Sequence, residues 1–165
     1  LRAGGSGHDL WQARDLDTGL QELLAASIRV VGAGRGIFQK LDAQGDLHVR
    51  AQLGYDEEYL SCFRKVSASD NRGCGRAVRT GKAVFIPDIE LDADYRPYAE
   101  GARLARYRAV LACPIISPGG NILGVMSAHF AEPTAIPAEA IKLFDLHAKV
   151  AACLMEGWPK HGSGP

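Results

Sequence analysis

RAVLACPIISPGGNILGVMSAHF, residues 108–130, decides the fold. Two apolar runs rich in Val, Ile, Leu and Phe flank Ser117-Pro118-Gly119-Gly120-Asn121, where Gly and Asn supply the positive φ of a reversal, so the stretch predicts a long antiparallel hairpin. Both runs are apolar at odd and even positions alike, the pattern of strands covered on both faces, which makes the hairpin central. If the turn pairs odd with odd, Leu111, Cys113, Ser127 and His129 share one face with Ala109, Ile115, Leu123 and Val125. The even face carries small residues against which a helix packs closely. The odd face, with a thiol, a hydroxyl and an imidazole in an apolar setting, is expected to line a pocket. Pro114 cannot donate to a ladder, so its strand needs a bulge or a free edge there.

Outward from the hairpin, 165 residues fit one domain, and 19 basic against 19 acidic side chains leave a formal net charge of zero. That balance offers no basic footprint for nucleic acid. No apolar run approaches the length of a membrane span, and the first residues lack the order of a signal peptide, so the expected location is cytoplasmic. Cys62, Cys74, Cys113 and Cys153 form no Cys-x-x-Cys pair and are expected to be reduced thiols. Residues 1–15 read as linker, with a helical extension as the alternative, residues 16–157 as the domain, and residues 158–165 as a tail.

Thr18, Gly19, Leu20 and Gln21 read as a capping box that opens a helix with Leu20, Leu23, Leu24, Ile28 and Val31 on one stripe and Gly32 beyond its end. Residues 37–41 and 47–53 predict a second hairpin, nearer a sheet edge, because Leu47, Val49, Ala51 and Leu53 alternate with His48, Arg50 and Gln52. Short elements follow: a helical turn over 55–63, a brief strand at Val66, a helix from Cys74 that stops at Gly81, and a strand over 82–86. Residues 87–98 read as an acidic loop until Pro97 starts a short helix over 98–107. Residues 137–156 read as a long helix with Ala140, Leu143, Phe144, His147, Val150, Ala151 and Leu154 inward. The fold class is α+β with an antiparallel sheet.

AQLGY, GCGRAVRTGKAVFIPDI, the 108–130 hairpin and the closing helix, in that order, resemble the GAF domain, a ligand-sensing module of bacterial signalling proteins. The resemblance implies a central antiparallel sheet, with the first and last helices on one face and a small-molecule pocket under short helices and loops on the other. It implies ligand contacts at Gln39, Cys74, Asp88, Tyr98, Leu111, Cys113, Ser127 and His129, the last at the position where related phytochrome domains keep a pocket histidine. Asp88, in Pro-Asp-Ile after a strand, matches an Asp that orders the lid in the family. No cysteine is followed by His as bilin attachment favours, and the signature of cyclic-nucleotide-binding relatives is absent. No cofactor is assigned, and one Cys with one His is too small a set for a closed metal site.

The bland alternatives stand beside these. His129, Ser127 and Cys113 also fit a satisfied core histidine with small fillers, and Arg103, Arg106 and Arg108 fit an anion site or mere charge balance. Cys74 at a helix start fits an activated thiol or close packing between two glycines. Free-methionine sulfoxide reductases share the fold and use cysteines near Cys74 and Cys62, but their further catalytic cysteine would fall in residues 88–106, which contain none. The function expected is therefore non-enzymatic sensing of an unidentified small molecule as the input module of a signalling protein such as a histidine kinase, covalently joined to an output domain. Such a reductase, or a degenerate domain used only for dimerisation, are the alternatives. Leu143, Leu146, Val150 and Cys153 form a seam that predicts a homodimer through the terminal helices.

Overall fold

A 26-residue helix, α1 (Ser6–Val31), begins the computed structural model, which describes residues 6–157. The expectations for residues 1–5 and 158–165 lie outside the described residues. Thr18 and Gly19 are internal to α1 rather than its start. A capping box marks where a helix can begin, but here the helical run continues upstream, and bare Gly19 leaves room for Leu154, 3.7 Å from where its Cβ would stand. Gly32, at φ 74°, ends α1.

β1 (Arg35–Leu41) and β2 (Asp46–Leu53) form the first hairpin. Asp42 holds its turn by accepting from the backbone N–H of Gln44 and of Asp46, both at 2.9 Å. The register slips between Phe38↔Ala51 and Gln39↔Val49, leaving Arg50 as an extra residue. The even alternation read along β2 is therefore broken. Leu47 and Ala51 lie in different core clusters, on opposite faces of the sheet.

The central hairpin is β5 (Ala109–Ile116) with β6 (Ile122–Phe130), and between the two hairpins lie α2 (Glu57–Phe63), β3 (Lys65–Ser67), α3 (Gly73–Thr80) and β4 (Val84–Ile86). The sheet has six antiparallel strands in the order β3-β2-β1-β6-β5-β4, with the hairpin strands inside it. Pairing with β4 ends at Ala112, two residues short of Pro114, which takes the free edge that its missing N–H requires.

The odd-with-odd pairing fails along most of this hairpin. Next to the turn Ile116 pairs Ile122, two even positions, but Leu123 is bulged out and Ile115 pairs Gly124, so from there on odd residues of β5 face even residues of β6. His129 and Ser127 share their face with Val110 and Ala112. Leu111 and Cys113, expected in the pocket, lie on the other face with Leu20, Leu24, Met126, Ala128 and Phe144. One extra residue in β6 turned the β5 assignment over.

α5 (Ala138–Glu156) packs on that second face beside α1. Its buried residues are Phe144, Ala148, Ala151 and Ala152, so the inward stripe is rotated from the one expected, toward small side chains that let the helix approach the sheet. Leu143, Leu146, Val150 and Leu154 are 41%, 52%, 43% and 38% exposed. The opposite face carries a lid. After β4 the chain forms a 3-10 helix (Ala93–Tyr98) begun by Asp92, whose carboxylate accepts from Tyr95 N–H, and then α4 (Ala99–Leu104), shorter than expected because Arg106 takes φ 58°. No described helix is long and apolar enough to cross a membrane.

Candidate ligand-binding site

All five tyrosines of the chain gather under this lid: Tyr95 and Tyr107 are buried in one cluster, and Tyr55, Tyr59 and Tyr98 pack against it. Two of them, Tyr55 and Tyr107, contact His129, which is 6% exposed at the end of β6. Tyr107 stacks on the imidazole with ring centroids 4.7 Å apart, and Tyr55 meets it edge-on while its hydroxyl bonds Nδ1. Tyr55 stacks in turn on Tyr59 at 4.6 Å, and the Tyr95 and Tyr107 hydroxyls share a buried 2.8 Å hydrogen bond.

Burial dominates the ionisation of this group. It pushes the His129 pKa down to about 3, helped by the charge of Arg35, so the ring is neutral at pH 7. Burial also raises Tyr59 to about 12 and holds Tyr55 and Tyr107 well above the ordinary tyrosine value, so all three are phenols. The Tyr55–His129 contact is therefore a hydrogen bond between a neutral phenol and a neutral imidazole, with one ring nitrogen carrying the proton and the other free to accept.

A chamber of about 40 Å³ lies between these rings and the sheet, lined by Gln39, Cys74, Ser127 and His129 among others. Tyr59, Arg72 and Tyr107 also line a vestibule of about 320 Å³ that continues outward to Pro97, Tyr98 and Leu104. Arg72 stands where the two meet. Its Nε and Nη2 donate to Asp70 Oδ2 at 2.8 and 2.6 Å, and its guanidinium lies 5.1 Å from the centroid of Tyr98. The lid is fastened to α3 by a bidentate ion pair, Arg76 to Asp92 at 2.6 and 2.8 Å, and by Asn71 N–H donating to the Tyr98 hydroxyl.

Of the residues singled out from the sequence, Gln39, Cys74, Ser127 and His129 thus come together at the chamber and Tyr98 at the vestibule. Leu111 and Cys113 lie across the sheet. Asp88 stands outside, accepting from Arg108 at 2.8 Å and from the N–H of Glu90, where it holds the root of the lid to β5. Cys74 is half-buried, and desolvation pushes its thiol up to about 11, so the α3 terminus does not activate it. Tyr55, Tyr59, Tyr95, Tyr107, Arg72 and Arg35 were missed. Their one signal is that every tyrosine lies between the hairpins. Among the described residues no group of three His, Cys, Asp or Glu is placed to hold a metal.

A six-stranded sheet with two terminal helices on one face and a lidded aromatic chamber on the other defines an α+β pocket domain. The chain belongs to the GAF domain family, whose sequence model matches residues 13–156. Among solved structures it is similar to the GAF domain region of a Geobacter sulfurreducens PCA protein (TM-score 0.76, 16% identity, 91% of this chain and 99% of that one). It is similar also to the type II free methionine-R-sulfoxide reductase of Thermoplasma acidophilum (0.73, 16%, 88% and 95%). A third is a domain of a protein named as a two-component sensor histidine kinase from Sinorhizobium meliloti 1021 (0.69, 15%, 84% and 90%). At these identities the likeness is one of fold. No curated protein matches by sequence.

Proposed function

We propose that this domain is a non-enzymatic sensor that binds a small molecule under its lid and passes the event to an output domain joined to its chain ends. The observation that carries the reading is a chamber with an uncommitted amide on its floor: Gln39 is 5% exposed, lines the cavity, and has no side-chain hydrogen bond among the described residues. Every fully buried side-chain nitrogen and oxygen among the described residues has a partner, so the Gln39 amide is open to the cavity, where water or a ligand supplies its hydrogen bonds. A chamber of about 40 Å³ holds a few waters, whereas ligand pockets start near roughly 300 Å³, so occupancy has to engage the vestibule and move the lid. Such movement reaches α1 and α5 through the sheet.

The fold likeness to a histidine kinase domain supports an input-module role, and the free thiols of Cys74, Cys113 and Cys153 support a reducing, cytoplasmic setting. The likeness to a sulfoxide reductase favours a second reading, weakened by the raised Cys74 thiol and by the absence of cysteine from residues 88–106. Dimerisation is part of the proposal, because Leu143, Leu146, Val150 and Val30 are apolar and exposed on the two terminal helices. Leu146→Glu is expected to leave a folded monomer by sedimentation, and a wild-type chain already monomeric at high concentration refutes the dimer.

Mass spectrometry of what the natively purified protein releases on denaturation tests the sensory reading. A stoichiometric small molecule, depleted in Gln39→Leu, is expected. Thiol-dependent reduction of free methionine sulfoxide that disappears in Cys74→Ser overturns it in favour of the enzyme.

A further inference from the structure

A groove of about 260 Å³ lies on the helix face of the sheet, across it from the chamber. Phe38 and Leu20, 0% and 2% exposed, form its floor, and half-buried Leu16, Leu123 and Met155 stand around it. Arg50 and Leu123, the residues that the two hairpin ladders pass over, both line it, so the groove opens where the bulges bend the strands away from α1 and α5. Its rim is polar, with Arg50 and Glu156 beside the apolar floor.

The end of α5 delivers the chain to this groove. Met155 and Glu156 line it, and Gly157, at φ 78° with its N–H on the Leu154 carbonyl, closes the helix. The next residue is Trp158, and the sequence Trp158-Pro159-Lys160-His161-Gly162-Ser163-Gly164-Pro165 holds no other large apolar side chain. Two residues span at most about 7 Å, which keeps the Trp158 backbone beside Glu156. Pro159 disfavours helical backbone at the residue before it, so α5 cannot carry the indole onward along its axis. The other terminus is less well placed: Leu16 lies ten residues after Ser6, about 15 Å along α1, and residues 1–5 begin beyond that distance.

We propose that Trp158 folds back into this groove and straps the exit of the chain to the sheet. An indole suits the site because its apolar body matches the Phe38 and Leu20 floor while its N–H needs an acceptor, which the Glu156 carboxylate on the rim supplies. The strap has a consequence for signalling. Phe38 on the groove floor and Gln39 on the chamber floor are consecutive residues of β1, facing opposite sides of the sheet. The segment that leaves the domain is thereby held against the back of the strand that meets the chamber, whatever the chamber binds.

The test is NMR of the 165-residue chain with ¹³C-labelled leucine methyls, alone and as Trp158→Ala. Nuclear Overhauser contacts are expected from one indole to the methyls of Leu16 and Leu123, which are far from Trp158 in sequence and belong to α1 and β6. In Trp158→Ala those contacts are expected to vanish and the two leucines' methyl resonances to shift, while the leucine methyls of the core keep their positions. Absence of the contacts in the wild type, with Leu16 and Leu123 unmoved by Trp158→Ala, overturns the proposal. Contacts that appear between a labelled and an unlabelled chain in a mixed sample, and weaken on dilution, overturn it as well, because the occupant is then a second copy.

Discussion

Lowering the pH from 7.5 to 5.0 is expected to destabilise this domain through one ring. His129 titrates near 6.5 in the unfolded chain and at about 3 in the folded one. Between those values the unfolded chain binds a proton that the folded chain refuses. The contribution of the neutral ring is thus fully present above pH 6.5 and is lost as the pH falls toward 3. At pH 5.0 the unfolded histidine is 1.5 units below its pKa and the folded one is still neutral, which amounts to about 2 kcal/mol of lost stability. Set against a total of roughly 5–15 kcal/mol for a domain, that is readily measured. Urea unfolding of the wild type and of His129→Phe at both pH values isolates it. Phe keeps the stack on Tyr107 and strands the Tyr55 hydroxyl, a cost that does not change with pH because burial holds that phenol far above the window. Asp42, Asp88 and Asp92 have lowered values, so their contributions are lost only below the ordinary carboxylate range, outside this interval. A wild type and variant that lose the same stability between pH 7.5 and 5.0, to within about 0.5 kcal/mol, refute a buried neutral His129.

Gly124→Ala would put a Cβ 2.0 Å from the Gln39 carbonyl oxygen, which belongs to the paired strand and has no freedom to yield. A loss of at least about 2 kcal/mol and a Tm lower by about 4–8 °C are expected in thermal melts, and an unchanged Tm contradicts the β1–β6 register. Asp92→Asn removes the charge that pins the lid to Arg76. Amide exchange over residues 93–104 is expected to accelerate while the core strands keep their protection, and uniform loss of protection instead means that the lid is part of the global folding unit.

Hydrophobic periodicity placed the strands of both hairpins and both terminal helices, because each of those elements is long enough for one face to announce itself, whereas the three-residue β3 and β4 were read only as short apolar runs between helix and loop signals. It could not register an extra residue. Nothing in ILGVMSAHF distinguishes a straight strand from one bulged at Leu123, and the β5 side of the pocket was lost with it. His129 and Ser127 kept their face because both lie on β6, beyond the bulge. The tyrosines escaped for a different reason. They sit in short helices and turns whose approach to one another is set by long-range packing, so no spacing in the sequence brings Tyr55 to His129 or Tyr95 to Tyr107. Gln39 stood out only through the family resemblance. Its significance comes from a polar amide placed at 5% exposure on an inner strand without a partner.

The two bulges also bear on how the chain tolerates changes in length. A one-residue deletion within a straight strand shifts the phase of everything on one side of it, sending core side chains to solvent or to the wrong layer. Leu123 and Arg50 are residues that the ladders already pass over, since Ile115 pairs Gly124 and Ile116 pairs Ile122, while Phe38 pairs Ala51 and Gln39 pairs Val49. Removing either one leaves every pair on both sides of it in place. Each bulge is therefore a point of slack between a hairpin's turn and the chamber floor, so the turns can be lengthened, shortened or recombined while the phase of the strands beneath the ligand is conserved.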